Sequence, residues 1–451
     1  MAAQTTVDVP QLLDQQPVSR FQLQVMALCA AVVFFDGFDT QVIGNLVPAI
    51  SSEFQVPRQA MAPVGVAGLV GLMLGALSLG PLADMVGRRI VIIVSTLVFG
   101  VMTVATGALA DSVTSLVILR FLTGIGLGGA MPNSIAMTAE YGPKRSQATM
   151  VMVMFCGFPL GASFAGFISA YLIPAFGWRS VLYLGGMLPI LLVPLLMLKL
   201  PESIRHLVLH GDRIERIKDI LARINPALIF VDGARFAISE QHGHGVPVRH
   251  LFLEGRAVAT MLLWIVFFMS LLNIFLINFW LPTLTHDAGI SPKLSNIATG
   301  LFQGGGVVGV LLLGRLIDKY GSYRMLAPTY LLAGIFIASL GFVVTMPVML
   351  VVSATLAGFC LIGGQTGANA LASTFYPTFI RSTGVGWALG IGRIGSILGP
   401  AVGGLLIALK WPTTAIFIIG GTAALCAALA VFLMGRTEVA SASARPAPVA
   451  G

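Results

Sequence analysis

Twelve long apolar segments, separated by polar ones, constrain the fold of this chain more than any other feature of its sequence. About 20 consecutive apolar residues are enough for an α-helix to cross the hydrocarbon core of a bilayer. Only 10% of the residues are charged, whereas soluble domains carry about 25%. Water cannot solvate such a surface, so lipid must cover most of it. The sequence therefore predicts an all-α integral membrane protein with twelve transmembrane helices.

A long polar stretch at 201–256 divides the apolar segments six and six. The predicted spans lie at 22–48, 60–82, 90–110, 113–138, 149–173, 179–200, 257–281, 294–317, 325–345, 347–375, 383–408 and 411–434. The predicted regions are a cytoplasmic N-terminal segment (1–21), an N-terminal six-helix bundle (22–200), a cytoplasmic linker (201–256), a C-terminal six-helix bundle (257–436) and a cytoplasmic tail (437–451). The tail is rich in Ala, Ser and Pro, which predicts disorder.

Lys and Arg are distributed unevenly between the two sets of loops, and this bias predicts the orientation of the chain. The poorer set contains Arg58, Arg179, Lys293 and Lys410. The richer set, which includes the loop with Arg88 and the central stretch, is expected in the cytoplasm together with both termini. The net charge of +8 comes from short segments between apolar ones, so we expect no nucleic-acid partner.

A short loop motif occurs twice, once in each half of the chain. The segments 80–89 and 314–324 both contain Gly, Asp and Gly at the same spacing, followed by a basic residue. A duplicated six-helix unit is typical of alternating-access transporters. We therefore predict two pseudo-symmetric six-helix bundles.

Several classes of function are disfavoured by what the spans lack. The four Cys residues fall inside apolar segments and are expected to be buried apolar side chains, and all six His residues fall in loops. No span contains paired His, a Ser–His couple or a metal-binding cluster, so a membrane enzyme is disfavoured and no cofactor is expected. A receptor is disfavoured because it would not need the duplicated loop. The polar first twenty residues predict no cleaved signal peptide.

The duplicated loop, the segment Arg120–Gly126 and the Leu-Pro-Glu-Ser segment at 200–203 resemble the signature of the major facilitator superfamily. The segment 35–40, Phe-Asp-Gly-Phe-Asp-Thr, resembles more narrowly the aromatic acid/proton symporter family, which includes carriers of 4-hydroxybenzoate and protocatechuate. Further similar stretches lie at 128–133, 155–158, 279–282, 375–377 and 390–393.

This resemblance implies a secondary active transporter in the bacterial inner membrane. It would import an aromatic carboxylate, such as 4-hydroxybenzoate, protocatechuate or gallate, by proton symport through alternating access. The partners implied are the acid, protons as coupling ions and the lipid bilayer, and the chain is expected to function as a monomer. The alternative is a proton-coupled exporter of drugs or metabolites, which Arg393 disfavours because exporters of cations tend to place acids in the second-half cavity.

Four ionisable residues lie deep in predicted spans: Asp36, Asp39, Arg120 and Arg393. Each such group costs about 2.5–3.5 kcal/mol on insertion scales, so we expect these groups to be functional. Because no span contains His, a carboxylate must carry the coupled proton. Burial raises the pKa of a carboxylic acid and a nearby Arg lowers it, so a contact that forms in one state only would drive proton exchange. Asp36, Asp39 and Arg120 are the predicted proton-coupling residues, although an Asp or Arg120 in a static interhelical ion pair is the alternative.

Arg393 is the predicted anchor for a substrate carboxylate, because a guanidinium grips a carboxylate with two hydrogen bonds and also stacks on aromatic rings. Its alternative role is a static partner for an Asp of the first half. The other predicted substrate-binding residues are Gln303, Gln365, Asn273, Phe35, Phe38, Phe158 and Trp280. For the aromatic residues, plain packing or contact with lipid is the alternative.

Charged residues at the cytoplasmic ends of the spans are predicted to form a gate. They are Asp84, Arg88, Asp318, Arg324, Glu140 and Arg381. An Asp at a helix end accepts hydrogen bonds from the N-terminal amides of a neighbouring helix, and a paired Arg would hold it there. The alternative is a topology signal combined with a tight turn.

Overall fold

The structure is a computed structural model that describes residues 6–210, 214–226, 235–237, 248–253, 256–376 and 380–443. Parts of the predicted linker and tail, and Pro377 of the segment 375–377, lie outside the described residues.

Twelve helical segments among the described residues are long and apolar enough to cross a membrane, with Lys144–Phe176 counted as one segment, which confirms the predicted count. The helices are α1 (Val9–Asp14), α2 (Arg20–Glu53), α3 (Ala62–Val86), α4 (Arg88–Leu109), α5 (Val113–Tyr141), α6 (Lys144–Phe155), α7 (Gly157–Phe176), α8 (Trp178–Lys199), α9 (Ile204–His210), α10 (Ile214–Ile224), α11 (Ala257–Asp287), α12 (Pro292–Tyr320), α13 (Ser322–Val343), α14 (Pro347–Phe375), α15 (Arg381–Ala408) and α16 (Thr413–Ser443). Short 3-10 helices lie at Arg58–Met61 and Val248–Phe252.

Most spanning helices continue beyond the apolar segment that predicts them. Helix α2 ends at Glu53 rather than at 48, and α11 ends at Asp287 rather than at 281. Helical hydrogen bonds do not depend on apolar side chains, so a helix continues into the polar edge of the bilayer where hydropathy falls. Helix α16 runs to Ser443, into the tail predicted to be disordered at 437–451. The Ala residues there favour helix.

One predicted span is broken into two helices. Helix α6 ends at Phe155 and α7 begins at Gly157, with Cys156 in a turn between them. Pro159 follows in the first turn of α7 and has no N–H to donate back to Phe155, which explains why the helix is interrupted here.

Small elements outside the spans add a minor departure from the all-α prediction. Strands β1 (Thr6–Asp8) and β2 (Arg235–Ala237) form a short parallel pair. Helix α10, inside the predicted linker, buries Ile217, Leu221 and Ile224 in the same apolar cluster as Leu207 of α9. The linker is thus partly folded, because its apolar residues recur at helical spacing.

The described residues group into two compact units that differ from the predicted bundles. Unit 1 comprises Met1–Thr40, Ala67–Ala162 and Arg179–His242, and unit 2 comprises Gln41–Val66, Ser163–Trp178 and Gly243–Gly451. Helices α2, α3 and α7 therefore each contribute to both units.

Glycines explain why parts of the first six spans belong to unit 2. A Cβ on Gly44 of α2 would lie 2.4 Å from the carbonyl oxygen of Asn278, and a Cβ on Gly166 of α7 would lie 2.6 Å from Cα of Gly300. Small residues allow helix backbones to approach this closely.

Candidate functional site

A buried ion pair lies in unit 1, where α2, α4 and α5 each contribute one residue. Arg120 Nη1 lies 2.8 Å from Asp39 Oδ2, and Arg120 Nη2 donates to the backbone oxygen of Asp39 at 3.2 Å. Thr103 Oγ1 donates to Asp39 Oδ1 at 2.6 Å. Only 1% of Asp39 and 4% of Arg120 are exposed. We call these three residues the charged cluster.

Asp36 lies about one turn earlier on α2 and is completely buried. Thr40 Oγ1 donates to Asp36 Oδ1 at 3.3 Å. The two carboxylates predicted to handle protons are therefore both removed from water, and Asp39 is the one joined to Arg120 by an ion pair.

Glycines hold the helices of the charged cluster at close distance. A Cβ on Gly37, next to Asp36, would lie 2.0 Å from the carbonyl oxygen of Phe158, and one on Gly161 would lie 1.8 Å from that of Phe34. On α5, a Cβ on Gly124 would lie 2.1 Å from the carbonyl oxygen of Gly68. These contacts fix α2 against α7 and α3 against α5, which limits where the acids and Arg120 can lie.

The three aromatic candidates of unit 1 have different surroundings. Phe38 is 2% exposed, and its ring lies against Gly185, where a Cβ would come within 2.4 Å. This packing accounts for its burial. Phe35 and Phe158 are half-buried, with Phe158 stacked on Phe155 at 6.2 Å between ring centroids. Their part in substrate binding stays a prediction.

A network of buried amides lies in unit 2. Gln303 Nε2 donates to Asn278 Oδ1 at 2.9 Å and to Gln41 Oε1 at 3.1 Å, and Gln41 Nε2 donates to the backbone oxygen of Asn278 at 2.9 Å. Asn45, one turn further along α2, donates to Ser169 Oγ at 3.4 Å. We call Gln41, Asn45, Asn278 and Gln303 the amide cluster.

Two other candidates in unit 2 make interhelical hydrogen bonds. Asn273 donates to the backbone oxygen of Gly420 at 2.7 Å, and Trp280 Nε1 donates to that of Pro400 at 2.9 Å. Both side chains are fully buried. The structure gives both a helix-packing role, and their predicted contact with substrate stays a prediction.

Gln365 and Arg393 are the remaining candidates of unit 2. Gln365 is 7% exposed and donates to Asn369 Oδ1 at 3.3 Å, while its own Oε1 accepts no hydrogen bond from the described residues. Arg393 is half-buried in the middle of α15, and its backbone oxygen accepts from Ser396. An amide oxygen and a guanidinium are suitable groups for a phenol and a carboxylate, respectively.

The first copy of the duplicated loop forms a dense polar network within unit 1. Arg88 pairs with Glu140 at the end of α5 and lies 3.5 Å from Asp84. Ser203 Oγ donates to Glu140, which ties the segment after α8 to the same site. We call Asp84, Arg88, Glu140, Glu202 and Ser203 the loop network.

Glu202 joins the loop network at the start of α4. Its Oε1 accepts from the backbone N–H of Arg89 at 3.1 Å, so the carboxylate lies at the positive end of the helix. Gly87 has φ +101°, and a Cβ there would lie 2.5 Å from Glu202 Oε2. Gly87 therefore serves both the turn and the approach of the carboxylate.

The second copy of the loop has the same glycine turn, but the described residues form no ion-pair network around it like the one around Arg88. Gly321 has φ +89°, and its N–H donates to the backbone oxygen of Ile317 at 2.8 Å. Asp318 and Arg324 are both exposed, and neither is ion-paired to any described residue. Arg381 is exposed and donates to the backbone oxygen of Tyr376 at 3.4 Å. The gating roles of these residues stay predictions.

The sequence pattern of the Major Facilitator Superfamily matches residues 29–250 and 263–450. The chain belongs to the Major Facilitator Superfamily.

Within this superfamily the chain is similar to named carriers over nearly its whole length. It is 42% identical to a gallate transporter of Pseudomonas putida, over 98% of each chain. It is also 42% identical to the 4-hydroxybenzoate transporter PcaK of Pseudomonas putida, over 90% of this chain and 91% of that one. These relatives are transporters and not enzymes, as the sequence predicts for this chain.

A solved structure of a D-xylose-proton symporter has the same superfamily fold. Its TM-score is 0.71 at 18% identity, and the match covers 91% of this chain and 97% of that chain. At this identity the likeness shows the fold alone.

Six residues of these clusters are not among the site residues predicted from the sequence: Thr103, Gln41, Asn45, Asn278, Glu202 and Ser203. Gln41 and Asn45 had a detectable signal, because an amide deep in a span needs a partner. Thr103 had none, since a Thr hydroxyl usually bonds its own helix, as Thr106 does with the backbone of Met102. Glu202 belongs to the segment 200–203, which carries the family resemblance. The resemblance identified the segment but not the contact of Glu202 with the start of α4.

Proposed function

We propose that the chain imports an aromatic carboxylate by proton symport through alternating access. The observation that carries this proposal is the 42% identity, over 98% of both chains, with a carrier named for gallate, a hydroxylated benzoate. The charged cluster adds one group that symport needs, a buried acid whose charge is compensated by a neighbouring cation.

In this proposal Asp39 is the proton carrier. While Asp39 is charged, Arg120 and Thr103 stabilise it. When a proton binds to Asp39, its attraction for Arg120 falls, and the guanidinium becomes available for another anion. An interaction made in one protonation state and lost in the other links proton binding to conformation.

The substrate would be recognised by a cation and by neutral polar groups. Arg393 would bind the carboxylate through two parallel hydrogen bonds. Gln303 and Gln365 carry buried amides that suit ring hydroxyls. A site built to bond a hydroxyl rejects the analogue that lacks it, because its buried polar groups are then left unpaired.

The proposed setting is the cytoplasmic membrane of a bacterium, with both termini inside and one chain as the functional unit. The excess of Lys and Arg in the loops with Arg88 and Lys144 supports this orientation.

The number of protons decides which force drives uptake. A hydroxybenzoate monoanion that crosses with one proton moves no net charge, so the pH gradient drives it at about 1.4 kcal/mol per unit. A second proton would add about 2.3 kcal/mol per 100 mV of membrane potential.

Uptake of radiolabelled 4-hydroxybenzoate into proteoliposomes tests the proposal. We expect 4-hydroxybenzoate to accumulate when the outside is more acidic than the lumen and the voltage is clamped at zero. Gallate and protocatechuate should compete with it. No uptake of, and no competition by, any aromatic acid would overturn the proposal.

Variants of Arg393 sharpen the same experiment. We expect Arg393→Ala to lose uptake and Arg393→Lys to retain part of it, because Lys keeps the charge without the planar pair of donors. Intact uptake by Arg393→Ala would show that Arg393 does not hold the carboxylate, and it would remove the argument from Arg393 against the exporter. Efflux assays with cationic substrates would then be the next measurement.

A further inference from the structure

A cleft lies in unit 2, next to the amide cluster. Its volume is about 250 Å³, and it is lined by the end of α2, the start of the following 3-10 helix, α7, the end of α11 and the first turn of α12. Ser52, in the lining of the cleft, is exposed. An apolar cavity of about 150 Å³ admits benzene, so this cleft has room for a substituted benzene ring.

Two buried side chains in the cleft wall have oxygens that accept no hydrogen bond from the described residues. They are Asn296 Oδ1 and Ser295 Oγ, in residues that are 2% and 1% exposed. A buried acceptor without a donor costs about 1–3 kcal/mol. These oxygens are suited to a ligand that brings a hydroxyl donor.

A cation lies on the same cleft wall. Arg58 donates through Nη1 to the backbone oxygen of Pro48, and its Nε lies 3.4 Å from Asp287 Oδ1. Its Nη2 is bonded to none of the described residues. Asp287 is 40% exposed on its side chain and would compete with an anionic ligand for Arg58. The first turn of the 29-residue helix α12 adds positive potential.

Asn45 connects this cleft to the amide cluster, because it lines the cleft and also lies 3.5 Å from Gln41 Nε2. By the positive-inside bias, the loops that border the cleft are the outer ones. A ligand in the cleft would therefore lie directly outside the amides proposed to read ring hydroxyls.

We propose that this cleft is an outer capture site for the aromatic acid, with the carboxylate on Arg58 and a ring hydroxyl donating to Asn296 or Ser295. The inference rests on the proposed function, because it takes the same substrate class. Occupation of the cleft concentrates the acid at the outer mouth before it reaches Arg393.

Equilibrium binding of radiolabelled 4-hydroxybenzoate to the purified chain in nanodiscs tests the capture site. We expect two molecules per wild-type chain and one per Arg58→Gln chain. Arg393→Ala should also bind one molecule, and the double variant none. In uptake, Arg58→Gln should raise KM about tenfold or more, because the charge-assisted contact between Arg58 and the substrate carboxylate is lost. The kcat should not change, because this contact is made only before translocation.

Two further variants separate binding from structure. If Arg58 only holds Asp287, then Asp287→Asn will weaken binding as Arg58→Gln does; if Arg58 binds the acid, Asp287→Asn will bind it as tightly or more tightly. Asn296→Leu should remove the preference of this site for 4-hydroxybenzoate over benzoate.

One molecule per wild-type chain, unchanged in Arg58→Gln while uptake continues, would overturn the capture site and leave the proposed function standing. Failure of all aromatic acids to bind or to be taken up would instead overturn the proposed function itself.

Discussion

The charged cluster of unit 1 and the amide cluster of unit 2 bury polar groups of different kinds. Unit 1 buries full charges, with Asp39 and Arg120 in a 2.8 Å ion pair. Unit 2 buries neutral amides, with Gln303 bonded to Asn278 and Gln41. The interaction energy of a charge pair in a low-dielectric interior changes strongly when one partner binds a proton, whereas an amide network does not change its charge at all. We therefore propose that unit 1 couples transport to the proton and that unit 2 selects the substrate.

The largest expected effect is on stability when one partner of the ion pair is removed. Asp39→Leu or Arg120→Leu alone should lower the free energy of unfolding by about 3–5 kcal/mol, because the remaining charge is buried without compensation. The double variant should recover most of that loss. Unfolding by SDS in mixed micelles measures all three, and additive losses in the double variant would show that the two residues do not form a pair.

The second effect concerns the glycine contacts that position Asp36 and Asp39. Gly161→Ala places a Cβ within 1.8 Å of the Phe34 carbonyl oxygen, so we expect a loss of about 1–3 kcal/mol or more. Gly390→Ala is the matched control, since its Cβ would meet nothing within 4 Å. Equal stability of the two variants would contradict the close packing of α2 and α7.

The third effect tests the role of the neutral amide cluster in unit 2. Gln303→Leu removes the donor to Asn278 and Gln41, which should cost about 1–3 kcal/mol of stability. KM for 4-hydroxybenzoate should rise, while KM for benzoate and the number of protons per substrate stay the same. A changed proton stoichiometry in this variant would contradict the division of roles between the units.

The smallest effect compares the two copies of the duplicated loop. Arg88 is 13% exposed on its side chain and pairs with Glu140 and Asp84, whereas Arg324 is exposed. Arg88→Gln should cost about 1 kcal/mol and Arg324→Gln nothing measurable. Thermal unfolding in detergent distinguishes them, and equal losses would show that the loop network contributes no more than an exposed charge.

The sequence predicted the helices and the deep charges better than the contacts between them. Hydropathy predicts the twelve spans, because burial of a segment in lipid depends on its own apolar composition and not on its contacts with other helices. The resemblance marked Asp36, Asp39 and Arg120, but spacing could not decide which Asp meets Arg120. Two residues three apart share a face, and only the packing of α2 against α5 selects one.

Side-chain direction also limited the prediction of the substrate site. Phe38 and Trp280 belong to motifs of the aromatic acid family, yet both pack against glycines, at Gly185 and Gly403. A motif records that a large residue is needed at a position, whether for a ligand or for a neighbouring helix. The loops illustrate the same limit, since both copies carry the Gly–Asp–Gly pattern, and among the described residues only the first copy meets a Glu at the end of a neighbouring helix.

Asp39 is the proposed coupling group, and proton movement driven by substrate tests this role directly. Proteoliposomes that contain a pH-sensitive dye receive 4-hydroxybenzoate outside, with no imposed gradient. The wild-type chain should acidify the lumen, and Asp39→Asn should not, while it still exchanges labelled for unlabelled substrate. If Asp39→Asn acidifies the lumen as the wild type does, and Asp36→Asn does not, then Asp39 is not the coupling group.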